Sequence, residues 1–315
     1  MKVYRLAIGV ITFLILVHGP NLFALDPVHK LSPAEKKKTL DFLYSLQNQD
    51  GGFVISKNAK GGSNLRATTA ACRAIHYFGG EVPHIEKVRE FLSSCFHSEV
   101  GAFSDQPNGK IDVIVTAVGM LAIVDAKMET KQFKTKGVDY LIKNASEWEQ
   151  IRMVGAAFEA LKEFPAKPIE RWVNQLNQDK NQFGGWGTEE LQARETGGRV
   201  AFFLRLNQSM KEVERIKQLK IITEGQQSDG GWIKEKNKGS DLESCYRVVR
   251  ALYLMKQLPK SPDQLKQFIH SCRNQDGGYG IQPGLPSTAS GTYFAGVISY
   301  WLEHLENKTK VENKN

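Results

Sequence analysis

Apolar residues recur at helical spacing through nearly all of the chain after residue 31. Leu40, Phe42, Leu43 and Leu46 follow Ser32-Pro-Ala-Glu35, a capping box with proline at the first helical position. Val88, Phe91, Leu92 and Cys95 stand at i, i+3, i+4 and i+7, and Leu265, Phe268, Ile269 and Cys272 repeat that pattern behind a second predicted box, Ser261-Pro-Asp-Gln264. Each such segment is followed by a glycine-bearing turn, a polar loop and a second helical stretch: 66–75, 111–124, 151–161, 194–206, the stretch opening at Leu242, and 292–302. No segment alternates with a period of two, so the chain reads as all-α. The second helices carry small residues, as in Thr68-Thr-Ala-Ala71, Gly155-Ala-Ala157 and Gly197-Gly198, which suits helices crowded into an inner ring.

The turns set the repeat. Gln47-Asn-Gln-Asp-Gly-Gly-Phe53 and Gln226-Gln-Ser-Asp-Gly-Gly-Trp232 are full copies, and Asn274-Gln-Asp-Gly-Gly-Tyr279 keeps the core of a third. Phe183-Gly-Gly-Trp186 and Val100-Gly-Ala-Phe103 are degenerate copies. The aromatic positions 53, 103, 186, 232 and 279 are spaced as six units, one having lost the motif. Six helical hairpins with their second helices around one axis predict an (α/α)6 toroid, which needs no polar end caps because it closes. Gln47, Asp50, Gly51, Gly52, Gln226, Asp229, Gly230, Gly231, Asp276, Gly277 and Gly278 are then staples between repeats rather than chemistry.

Residues 1–24 stand apart. Lys2 and Arg5, an apolar run over residues 6–17 and Ala24 form the layout of a secretory signal peptide, and the run is too short to span a bilayer. The expectation is an exported chain with its toroid over 25–306, a polar tail over 307–315 and no membrane span once the leader is gone. The formal charge of +8 falls to +6 without Lys2 and Arg5, and the excess is scattered, which argues against a nucleic-acid partner. Asn144, Asn207 and Asn307 head glycan-acceptor triplets. Of the four cysteines, Cys95 and Cys272 sit at equivalent apolar positions and read as buried thiols; Cys72 and Cys245 fall in units that are not neighbours in a six-unit ring, which disfavours a bond between them.

With these motifs, residues 32–306 resemble the superfamily of prenyltransferase β subunits and squalene/terpene cyclases. The closest likeness is to the β subunits of protein geranylgeranyl and farnesyl transferases, whose F-x-x-x-C matches Phe91-Leu-Ser-Ser-Cys95 and Phe268-Ile-His-Ser-Cys272. The resemblance implies a site where the inner helices begin: zinc on an aspartate, a cysteine and a histidine, a basic cluster for the prenyl diphosphate, and an aromatic-lined barrel for the isoprenoid. The family's D-x-C-Y is Glu243-Ser-Cys245-Tyr246 here, with Asp241 nearby, and its H-T-Y-F is Gly291-Thr-Tyr-Phe294. Glycine offers no ligand atom, so Asp241, Glu243 and Cys245 are at most a remnant; zinc is disfavoured and no cofactor is expected. The arginine and lysine of the diphosphate cluster are Asn237 and Ser240, leaving Lys236 and Lys238 beside them, with Arg66, Arg152 and Arg194 at the starts of other inner helices. The D-x-D-D acid motif of terpene cyclases is absent.

The first expectation is therefore an exported toroid binding an apolar or isoprenoid molecule, or a protein partner, in its central cavity. Its mouth would carry Glu243, Cys245, Tyr246, Tyr293, Arg66, Arg152, Arg194 and Lys238, and no catalytic residue is assigned. The alternatives are an active prenyltransferase or cyclase-like enzyme with altered residues, and a secreted carbohydrate-active toroid using Asp112, Glu195 and Glu243 with Arg194.

Overall fold

A computed structural model describes residues 31–312; the expected leader at 1–24 lies outside them, as do the last three residues of the chain. Six helical hairpins follow in order. They are α1 (Pro33–Tyr44) with α2 (Leu65–Tyr77), α3 (Ile85–Ser94) with α4 (Val113–Asp125), and α5 (Lys131–Asn144) with α6 (Trp148–Leu161). Then come α7 (Ala166–Gln178) with α8 (Gln192–Arg205), α9 (Glu212–Glu224) with α10 (Leu242–Met255), and α11 (Pro262–Ser271) with α12 (Ala289–Glu312). Among the described residues the named strands are β1 (Phe96–His97) and β2 (Ala102–Phe103), an antiparallel pair inside the second turn. No described helix is long and apolar enough to cross a membrane.

The even-numbered helices form the inner ring, each packed on the next, and α12 closes it against α2. Close approach is where the small residues matter: a Cβ on Gly197 would stand 2.9 Å from the Val248 Cα on α10, and one on Gly296 would meet Tyr77 and Phe78 of α2. The core lies between the rings, built on residues such as Phe42, Leu43, Leu92, Phe158, Trp172, Val248, Leu265 and Ile298.

The turns join hairpins as the repeat predicts. Oδ1 of Asp50, Asp229 and Asp276 accepts from the second glycine's N–H at 2.9–3.0 Å, and from the hydroxyls of Ser63, Ser240 and Ser287 at 2.7 Å. Gln47 Nε2 donates to the Pro83 carbonyl and Gln226 Nε2 to that of Ser261, each at the start of the next unit. In the sixth turn Arg273 takes that place and donates to the Glu35 carbonyl, so the same device closes the ring. The aromatics are buried, and the backbone N–H of Phe53, Phe103, Trp186 and Tyr279 donates to the hydroxyl of Thr68, Thr116, Thr196 and Thr292 on the unit's own inner helix.

One sequence expectation changes. Ser32 forms its capping box with Glu35, but Ser261 makes no side-chain cap, and its backbone N–H, the donor a box would offer to Gln264, goes to Gln226 instead. Ser32→Ala is thus expected to cost about 1 kcal/mol and Ser261→Ala a few tenths at most, a difference that urea denaturation of the two variants resolves. α12 runs on to Glu312, past residue 306. All four cysteines are free, with Cys95, Cys245 and Cys272 buried.

Candidate functional site

The inner ring encloses a cavity of about 970 Å³, at the large end of the range for small-molecule sites. Charged and aromatic residues enter it at steps of three, four and seven along helices that are otherwise small and apolar: Arg66 and Arg73 on α2, Arg152 and Glu159 on α6, and Glu243, Tyr246, Arg247 and Arg250 on α10. Such steps place side chains on one face of a helix.

Two tiers result. In the upper one, near the N-termini of the inner helices, Arg247 donates to Glu149 at 2.6 and 2.9 Å and to Glu243 at 2.5 Å, and Arg152 pairs with Glu149 at 3.0 Å. These bonds tie α10 to α6 across the front of α8. The lower tier borders the upper directly on α10, at Tyr246 and Arg250, but lies further down α2 and α6, about two turns from Arg66 to Arg73 and nearly three from Glu149 to Glu159. There Arg73 pairs with Asp125 at 2.5 Å, and Arg250 and Arg205 converge on Glu159 at 2.6 and 3.2 Å. Tyr246 stands in their midst, its hydroxyl 3.5 Å from Arg205 Nη2. Its ring packs on Tyr293, Phe294 and Trp301 at centroid distances of 5.8, 5.1 and 5.4 Å.

The structure brings only part of the expected mouth together. Glu243, Tyr246, Tyr293, Arg66 and Arg152 line the cavity, Arg66 at its rim in an ion pair with Asp105. Arg194 is buried beside Glu195 and Glu243 and is not a lining residue. Lys238 is exposed on the loop before α10, away from the cavity.

Cys245 is a clear correction. It lies in the core between the rings, 13 residues after Trp232, where Thr116 and Thr292 follow Phe103 and Tyr279 by the same interval, and it takes the hydrogen bond from the Trp232 backbone. Burial pushes its thiol well up. Asp241 caps α10, accepting from Ser244 N–H and Oγ. A Cβ on Gly291 would sit 2.4 Å from the Tyr279 carbonyl oxygen, so no side chain fits there. Cys245 and Asp241 are thus engaged within the fold and do not line the cavity, and among the described residues no three His, Cys, Asp or Glu are grouped to hold a metal. The carbohydrate set is also dispersed: Asp112 caps α4, while Glu195 bonds Arg199 and Arg194.

The family model of the prenyltransferase alpha-alpha toroid domain matches residues 16–150 and again 149–314. The chain belongs to that family. Solved structures similar to this toroid include a variant of the type II terpene cyclase MstE from Scytonema in complex with its substrate geranylgeranyl dihydroxybenzoate. The TM-score is 0.61 at 11% identity, over 87% of this chain and 97% of that one. A GH76 alpha-mannanase from Bacteroides thetaiotaomicron gives 0.57 at 11% identity, over 89% and 96%. At such identities the likeness is of fold. No curated protein matches by sequence.

The toroid's electrostatics are set by its arginines. Burial opposes ionisation of Glu149, but Arg247 and Arg152 outweigh it and hold the carboxyl at about 2. Glu243 is likewise lowered against burial, chiefly by Arg247. Burial lowers Arg152, with the Arg247 charge adding to it. At Tyr246 burial pushes the phenol up, and the combined fields of Arg205, Arg250 and Arg73 bring it down to about 7; Tyr293 beside it is pushed up by burial and by Tyr246. Arg73, Arg205, Arg250, Asp125, Glu159 and Trp301 escaped the sequence reading. Their one signal was the seven-residue step from Arg66 to Arg73, Arg152 to Glu159 and Glu243 to Arg250.

Proposed function

We propose that this chain is an exported toroid that holds an apolar, isoprenoid-class ligand in its central cavity and does not perform zinc-dependent prenyl transfer. The cavity's aromatic wall carries the reading: Tyr77, Tyr246, Tyr293, Phe294 and Trp301 line one side of a volume large enough for a polyisoprenoid chain. That the fold of MstE holds a geranylgeranyl compound supports the same ligand class. Export rests on the leader at residues 1–24. The burial of Cys245 and the filled space at Gly291 argue against transfer chemistry.

A carbohydrate-active reading draws on the mannanase-like fold and on Asp125, Glu159 and Glu243 in the cavity. Glycosidic cleavage needs one carboxyl kept protonated near neutrality. Each of these three is ion-paired with arginine instead, and Glu243 is held below its ordinary range, chiefly by Arg247. The isoprenoid reading is stronger on that ground.

Native mass spectrometry of protein from its own host, with elemental analysis after dialysis, tests the proposal. The expected result is a co-purifying or added isoprenoid bound one per chain, with no stoichiometric zinc. A bound oligosaccharide would favour the carbohydrate reading. One zinc per chain that is lost in Cys245→Ala would restore the enzyme.

A further inference from the structure

The two tiers of the cavity differ in charge balance. In the upper tier Arg152 and Arg247 face Glu149 and Glu243, two against two, and Arg194 and Lys234, which do not line the cavity, approach Glu243 at 3.4 and 3.5 Å. In the lower tier Arg73, Arg205 and Arg250 face Asp125 and Glu159, three against two. The surplus guanidinium charge is well buried: the Arg205 side chain is only 8% exposed. Arg73, Arg205 and Arg250 all line the cavity, from three different inner helices, so their guanidinium donors converge on one place within it.

We infer that the lower tier, formed by Arg73, Arg205 and Arg250 around Tyr246, is a subsite for one singly charged anionic group, a carboxylate, borne by the apolar ligand. This rests on the reading of the cavity as an isoprenoid-class site and adds the ligand's head group and orientation. A guanidinium presents a planar fork of donors that matches a carboxylate in two parallel bonds. The planes are already fixed, Arg250 over the Trp301 ring at 5.2 Å and Arg73 over Tyr293 at 5.9 Å, so little ordering remains to oppose binding. One surplus positive charge is neutralised by one negative charge, that of the Tyr246 phenolate in the ligand-free protein or that of the carboxylate when Tyr246 keeps its proton. A diphosphate would bring more negative charge than the tier can balance, and buried uncompensated charge is unfavourable.

The head group then sits deep, with the chain running elsewhere. Beyond the lower tier the cavity reaches outward between α2 and α4 as far as α3, along Val82, Ile85, Val118, Leu121 and Ala122. These apolar residues suit the distal end of the chain, with Glu81, Arg89 and Lys127 also on the lining of this branch. The upper tier, with its paired carboxylates, lies on the opposite side of the head group.

Farnesoic acid and farnesol share a chain and differ only in the head group, so calorimetric titration of the full chain with each, and with farnesyl diphosphate, isolates the subsite. The acid is expected to bind at least about tenfold tighter than the alcohol and tighter than the diphosphate. Arg205→Gln is expected to weaken the acid about tenfold and the alcohol less than twofold. Equal affinities for acid and alcohol in the unaltered protein overturn the subsite while leaving the cavity reading intact, and that comparison stands even where the variant does not fold. Preference for the diphosphate overturns the single-charge assignment, and an Arg205→Gln loss shared equally by acid and alcohol overturns the head-group contact. Binding of none of the three removes both this inference and the reading beneath it.

Discussion

Gly230→Val is expected to destabilise the toroid by about 3 kcal/mol or more, through two effects that act together. The backbone at Gly230 has φ +89, a left-handed conformation that a β-branched residue adopts only under strain. A Cβ there would also stand 2.3 Å from the Gln264 carbonyl carbon and the Leu265 nitrogen, which belong to the backbone of α11. Backbone in a packed helix cannot step aside as a side chain can. The turn of the fifth unit would be driven off the outer helix of the sixth, and Gln226 would lose its grip on Ser261. Gly239 provides the control: its φ is +73, yet nothing lies within 4 Å of its Cβ position. Gly239→Val is expected to cost only about 1–2 kcal/mol, the conformational part alone. Guanidinium denaturation of both variants measures the difference. Equal losses would mean that the turn conformation matters and the docking of one unit on the next does not; a Gly230 variant as stable as the parent would reject the staple altogether.

That glycine also shows why so much of the fold was legible. A closed ring of hairpins repeats one local code, and each copy of the code carries its own long-range contact. The Asp-Gly-Gly turn at 50–52 docks on Lys87 of α3, and the one at 276–278 docks on Lys38 of α1, by the same close approach that Gly230 makes. Reading one turn therefore reads the contact that joins two units. Where a contact broke the repeat, the reading failed: the local sequence at Ser261 spells a capping box, and Gln226, 35 residues earlier, takes the backbone groups instead.

The site was less legible because an inner helix has two well-packed faces, one on the outer ring and one on the lumen. Small and apolar residues serve both, so composition does not say which face is which. The match of Glu243-Ser-Cys245-Tyr246 to a catalytic motif assumed that all of it faces the mouth. Successive residues on a helix are rotated by about 100°, and here Cys245 turns into the core while Glu243 and Tyr246 face the cavity. The interval of 13 residues from Trp232, shared with two threonines that serve their turns, held the better clue. The lower arginine tier was hidden for a different reason. Arg73, Arg205 and Arg250 come from three helices far apart in sequence, and only the closure of the ring makes them neighbours.

Tyr246 is expected to ionise around neutral pH, close to a thousand times more readily than a free phenol. Burial alone would do the opposite, so the expectation tests whether three guanidiniums dominate the lumen. Arg205, Arg250 and Arg73 each stabilise the phenolate, and a hydrogen bond from Arg205 adds to them. Tyr293, pushed the other way, keeps its proton and remains a donor towards Tyr246. The sign of the stability change follows from the folded value lying below the unfolded value near 10. This group's contribution is fully present above the unfolded value and is lost as pH falls through about 7, so it raises stability progressively between those limits. Ultraviolet absorbance of the ligand-free protein should show one of the nine tyrosines titrating near neutrality while the chain stays folded. Tyr246→Phe should remove that step, and Arg205→Gln should move it upward, since the nearest positive charge is gone. A single transition above pH 9, coincident with unfolding, would mean that burial prevails over the arginines. The field of the arginines at the lower tier would then be too weak to hold an anion.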